Sequence, residues 1–110
     1  MLLACSITAA HAKDPNVVLG FGAVTCVEFV NAEHDPRRKT TLGLDIFAWA
    51  QGYFSARNTQ QPGAHLTVGG SVSADTLESM LVDQCNELPK TTPVFFAADA
   101  LYEKLKQKGL

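Results

Sequence analysis

The chain reads as an all-α protein: a small single-domain four-helix fold with one disulfide. Three observations predict this. Apolar residues recur at i, i+3 and i+4 in several separate stretches, most of those stretches carry a recognisable cap or stop, and two cysteines remain once an export-signal remnant is set aside. With 110 residues, 46% of them hydrophobic, the chain can hold one modest core and not two. No internal repeat, low-complexity tract or second composition zone divides it.

Residues 1–12 read as a signal-peptide remnant and residues 13–110 as the folded domain. The first stretch is uncharged, apolar through Leu2, Leu3, Ala4 and Ile7, and ends in Ala10-His11-Ala12, the small-x-small pattern of a signal-peptidase site. The basic n-region and longer apolar segment of a complete signal are missing, and a plain hydrophobic N-terminus is the alternative. Leu2-Leu3-Ala4-Cys5 also has the form of a lipobox, whose cysteine would be acylated. On either reading Cys5 stands apart from the mature fold.

The first helix is expected from residue 26 to about 33. Thr25 caps it, Glu28 stands at the capping-box position, and Cys26, Phe29 and Val30 share a face. Ahead of it, residues 13–24 mix glycine and proline with Val17, Val18, Leu19 and Phe21, which suggests an irregular arm laying apolar side chains on the core. His34-Asp35-Pro36-Arg37-Arg38-Lys39 reads as a polar break and solvated loop. A second helix spans about 42–58 with Ile46, Trp49, Ala50, Tyr53 and Phe54 on one stripe. Gly52 inside it costs about 1 kcal/mol relative to alanine, which hints at a backbone packed closely there.

Residues 59–72, with Pro62, Gly63, Gly69 and Gly70, form a long connection with a short extended piece at 65–68. Ser73 then caps a third helix whose inner side carries Leu77, Leu81 and Cys85. Thr92-Pro93 reads as the cap and N1 proline of a fourth. Val94, Ala98, Leu101 and Leu105 line its inner face beside Phe95 and Tyr102. Lys104, Lys106 and Lys108 suit its C-terminal dipole and Gly109 stops it.

In an oxidising compartment Cys26 and Cys85 are expected to pair. Closing a loop of about 59 residues would stabilise the fold by about 4 kcal/mol on the chain-entropy model. Two buried free thiols, or a metal site with His34 and His65, are the alternatives, though no C-x-x-C or H-x-x-x-H spacing supports zinc.

Nine Lys+Arg against eleven Asp+Glu leave a net charge of −2, which argues against a nucleic-acid binder needing a basic patch. No apolar run approaches the roughly 20 residues that span a bilayer. Gly20-Phe21-Gly22-Ala23-Val24-Thr25 starts like a dinucleotide fingerprint but lacks the third glycine and the preceding strand. Cys26 with His34 could make a nucleophile and base, a pairing that a disulfide abolishes. No paired carboxylates or nucleophile elbow appear. The expectation is therefore a non-catalytic protein with no cofactor and no metal.

Thr25-Cys26-Val27-Glu28-Phe29 resembles the Thr-Cys-x-Glu-Phe opening of the HdeA/HdeB acid-stress chaperones of the bacterial periplasm. The likeness covers roughly residues 24–108. It implies a helical periplasmic protein with a disulfide from that first cysteine to one late in the third helix, here Cys85, and a lysine-ended last helix. The function implied is an ATP-independent holdase that exposes apolar surface to unfolded clients on acidification. Loss of carboxylate charge would then leave the chain cationic and self-repulsive, with Phe47, Trp49, Tyr53 and Phe54 as the expected protein-binding residues. Trp49-Ala50-Gln51-Gly52-Tyr53 is similar instead to a Trp-x-x-Gly-Tyr motif of small exported helical proteins, including immunity proteins that neutralise type VI secretion amidases. That likeness implies an inhibitor with one specific protein partner. A homodimer would fit either.

Overall fold

A computed structural model describes residues 18–60 and 67–110. The signal-remnant reading of residues 1–12, Cys5, the start of the arm and His65 lie outside the described residues. Four main helices are formed among the described residues: α1 Cys26–Glu33, α2 Leu44–Thr59, α3 Ala74–Asn86 and α4 Val94–Gln107. The all-α reading and the disulfide both hold. Cys26 and Cys85 join α1 to α3 with their Cα atoms 5.1 Å apart, within the ordinary span of a bridge.

Each helix starts for a local reason. Thr25 accepts a hydrogen bond from the Glu28 amide at 3.3 Å, and its hydroxyl donates to the Glu28 carboxylate at 3.1 Å. Glu28 thus returns to the cap's hydroxyl. The orphan amides of Cys26 and Val27 donate instead to the carbonyls of Thr92 and Lys90, at 2.7 and 3.1 Å. The Val94 amide donates to the Val24 carbonyl at 2.8 Å, completing an antiparallel bridge between Thr25 and Pro93. This bridge shifts the start of α4 from the expected position. Pro93 itself is the N-cap because residues 92–93 stay extended to pair with the chain before α1.

The expected loop over residues 34–39 is a correction. Helix resumes at Pro36, with the Asp35 side chain accepting from the Arg37 amide at 3.0 Å, and runs through Pro36–Arg38 and a wide π-type turn, Lys39–Gly43, into α2. Asp-Pro is a break and equally a cap followed by an N1 proline, and here the second property prevails. Ser73 caps α3 as expected, accepting from the Thr76 amide at 3.2 Å. Past α4, Gly109 adopts a left-handed φ of 73°, and the Leu110 amide returns to the Leu105 carbonyl at 2.9 Å.

The core is built from Phe29 of α1, Ile46, Phe47, Ala50 and Phe54 of α2, Leu77 and Leu81 of α3, and Val94, Ala98, Leu101, Tyr102 and Leu105 of α4. One glycine reading is corrected by it. Gly52 sits on the solvent face of α2 with nothing within 4 Å of a Cβ built there. The close approach occurs at Gly22, where a Cβ would collide with the indole of Trp49. The arm ahead of α1 accordingly docks by backbone, through a 3₁₀ turn at Gly20–Ala23, and leaves Leu19 and Phe21 exposed. In the connection between α2 and α3 the described residues form a turn where an extended piece was expected. Gly69 is left-handed there, and its amide donates to the Leu110 carbonyl at 2.8 Å. Asn58 fixes this turn, donating to the Val68 carbonyl and accepting from the Val68 amide, both at 3.2 Å. Tyr102 donates to the same Asn58 oxygen at 2.8 Å.

Candidate functional site: an aromatic face and its latch

Helical geometry places residues four apart on one side. On α2 this aligns Trp49, Tyr53 and Arg57, and on α4 Phe95, Asp99 and Glu103. The two rows face each other with aromatic groups at one end and charges at the other. Trp49 stacks on Tyr53 with centroids 5.7 Å apart and planes 4° from parallel. Phe95 meets both edge-on, at 6.2 and 5.2 Å, and touches Phe96 at 5.3 Å. Trp49, Tyr53 and Phe95 are half-buried, whereas Phe96 is 52% exposed. With Phe21 exposed on the turn that rests on Trp49, this side of the protein offers apolar surface to solvent.

Arg57 closes the charged end. It donates to Asp99 Oδ1 and to Glu103 Oε2, both at 2.6 Å, and to the Tyr53 hydroxyl at 3.2 Å. Its guanidinium lies 4.2 Å from the centroid of the Tyr102 ring, a cation–π distance. Tyr53 donates to Asp99 Oδ1 at 2.6 Å. Burial pushes the Tyr53 phenol above its ordinary range, and the hydrogen bond to the Asp99 carboxylate adds to this. Every strong acceptor in this latch is a carboxylate.

Of the residues expected to bind protein, Phe47 and Phe54 lie in the core while Trp49 and Tyr53 lie on the aromatic face. Phe54 instead meets Tyr102 edge-on at 5.2 Å. Sequence reasoning missed Arg57, Asp99 and Glu103. The i, i+4, i+8 rows were a usable signal, but only the fold sets one row against the other.

A second ionic cluster joins α1, the wide turn and α3. Lys39 Nζ lies 3.1 Å from Glu33 Oε1 and 3.6 Å from Glu78 Oε2. Cys26 is oxidised and His34 exposed, so the nucleophile-and-base pairing does not form. No three His, Cys, Asp or Glu side chains converge among the described residues. A surface cleft of about 290 Å³ lies between α2, the turn at residues 67–70 and the start of α3, beside Phe54, Asn58, Val68 and Leu77. No titratable side chain lines it among the described residues. No helix among them is long and apolar enough to cross a membrane.

Comparison with protein-family models, curated proteins and solved structures finds no match to this chain.

Proposed function

We propose that this protein is a non-catalytic periplasmic holdase, which binds unfolding client proteins through its aromatic face when acidified. The observation that carries this reading is the chemistry of the latch. Beside the neutral Tyr102–Asn58 hydrogen bond, the side-chain polar contacts between α2 and α4 run from Arg57 and Tyr53 to two carboxylates, Asp99 and Glu103. Protonating those carboxyls removes both ion-pair partners of Arg57, while the guanidinium keeps its charge. Acid therefore loosens the contact that covers the face, and the Cys26–Cys85 bridge keeps the rest of the chain together. The Thr25-Cys26-Val27-Glu28-Phe29 opening supports the same reading by its resemblance to HdeA/HdeB chaperones.

A second reading, an inhibitor of a secreted cell-wall amidase, draws on Phe21 and Phe96, which are exposed before any acidification. One titration separates the two. The oxidised chain is taken from pH 7 to 2 while dye binding to apolar surface, particle size and aggregation of an acid-labile client are followed. The holdase reading expects a reversible rise in exposed surface together with client protection. A chain that stays closed and protects nothing at low pH overturns it, and a tight one-to-one complex with an amidase at pH 7 would establish the inhibitor instead.

A further inference from the structure

The Glu33, Lys39 and Glu78 cluster lies between the other two helices, α1 and α3. The Glu33 side chain is only 5% exposed, and its Oε2 is buried with no hydrogen-bond partner among the described residues. Gly43, at the end of the wide turn, lies so close over that oxygen that a Cβ there would stand 2.5 Å from it. Glu78, 12% exposed, brings a second carboxyl from α3 to the same lysine, its Oε2 3.6 Å from Lys39 Nζ. Lys39, half-exposed, is the only cation within ion-pair distance of either glutamate among the described residues. Its neighbours Arg37 and Arg38 point to solvent, His34 is exposed, and Asp35 is engaged as the cap of the following turn. Two carboxylates thus share one partly screened cation, and a buried acceptor oxygen lacks a donor. A proton on one of the two carboxyls would supply a donor, replacing like-charge repulsion with a charge-assisted hydrogen bond.

We propose that Glu33 and Glu78 form a proton-closed clasp: on mild acidification one proton shared by the two carboxyls joins α1 to α3 by an O–H···O hydrogen bond, so the disulfide-linked half tightens as pH falls. The direction agrees with the titration of Glu78, which burial and then the adjacent Glu33 push up to about 6. A carboxyl raised in the folded state contributes stability that is fully present below its ordinary range and is lost as pH rises through about 6. The clasp rests on its own geometry and not on client binding, so a chain that protects no client still tests it.

The test is an NMR titration of the glutamate carboxyl carbons in the oxidised full chain, paired with amide-exchange protection of α1 and α3 from pH 7.5 to 5. Glu78 is expected to titrate near 6 and to fall towards the ordinary glutamate range in Glu33→Gln. Protection of α1 and α3 should rise about five- to ten-fold across that interval in the wild type, the part of a shift of this order that is completed by pH 5. In Glu78→Gln, which carries a permanently neutral side chain, protection should already be high at pH 7.5 and the rise should vanish. If Glu33→Gln fails to fold, the wild-type and Glu78→Gln profiles decide alone. An ordinary Glu78 midpoint, or protection that is flat with pH in the wild type, overturns the clasp.

Discussion

Replacing Arg57 by methionine removes the latch while keeping most of the aliphatic stem that covers Tyr102. Asp99 and Glu103 are 44% and 45% exposed, so each ion pair is screened and contributes about 0.5 kcal/mol despite its short distance. The cation–π contact with Tyr102, itself fully buried, adds about 1 kcal/mol. Arg57→Met should therefore cost about 2 kcal/mol at pH 7, which in a domain of this size lowers Tm by roughly 8–16 °C. At pH 2.5, below the carboxylate range, the two ion pairs are absent from both proteins and only the cation–π part remains. The difference between wild type and variant should then shrink by about half. Thermal and urea unfolding followed by circular dichroism at the two pH values measure this, and the fluorescence of Trp49, the only tryptophan, reports the aromatic face directly. A penalty equal at pH 7 and pH 2.5 would show that the carboxylates do not hold the face. No measurable penalty at pH 7 would show that there is no latch.

Reducing the Cys26–Cys85 bridge, which closes a separation of 59 residues, should cost about 4 kcal/mol and leave the chain largely unfolded in mild urea. A fall in the urea midpoint worth less than 1 kcal/mol would contradict this. Gly22→Ala should cost about 1–3 kcal/mol by driving a methyl group into the Trp49 indole, and should shift the tryptophan emission to the red. Gly52→Ala, on the open face of the same helix, should instead stabilise by about 0.5–1 kcal/mol, so the pair separates contact from helix propensity.

What the sequence disclosed is what one-dimensional spacing can carry. The stripe Leu77, Leu81, Cys85 and the caps Thr25 and Ser73 are local devices, and they appear where their spacing puts them. Asp35-Pro36 misled because the dipeptide serves equally as a break and as a start, and the choice depends on whether the chain beyond it reaches the core. It does here, with Leu42 packed against the core. Gly22, Gly43 and Gly52 are alike in the sequence, yet one faces an indole, one a carboxylate and one open solvent. Such differences exist only in three dimensions. The same limit hid both ionic clusters: Glu33 and Glu78 are brought together by the packing of α1 on α3, and Arg57 and Asp99 by that of α2 on α4. No local pattern specifies either pairing.

The magnitudes also constrain how the proposed opening could proceed. The half-buried Trp49, Tyr53 and Phe95 rings each hold about 1 kcal/mol of apolar burial, and their mutual contacts add about 0.5–1.5 kcal/mol per pair. Only the two contacts with Phe95 cross from α2 to α4, so closure of the face by aromatic contact alone is worth about 4–6 kcal/mol, more than the roughly 2 kcal/mol of the latch. Neutralising Asp99 and Glu103 cannot by itself separate α2 from α4. The remainder has to come from charge. With its eleven carboxyls neutral, the chain keeps nine Lys and Arg and gains three protonated His, and this repulsion grows steadily through the acid range. Opening should therefore lag behind the first carboxyl titrations and then proceed steeply once latch release and repulsion combine. Added salt, which screens the repulsion but leaves carboxyl protonation largely unchanged, should delay that opening to lower pH.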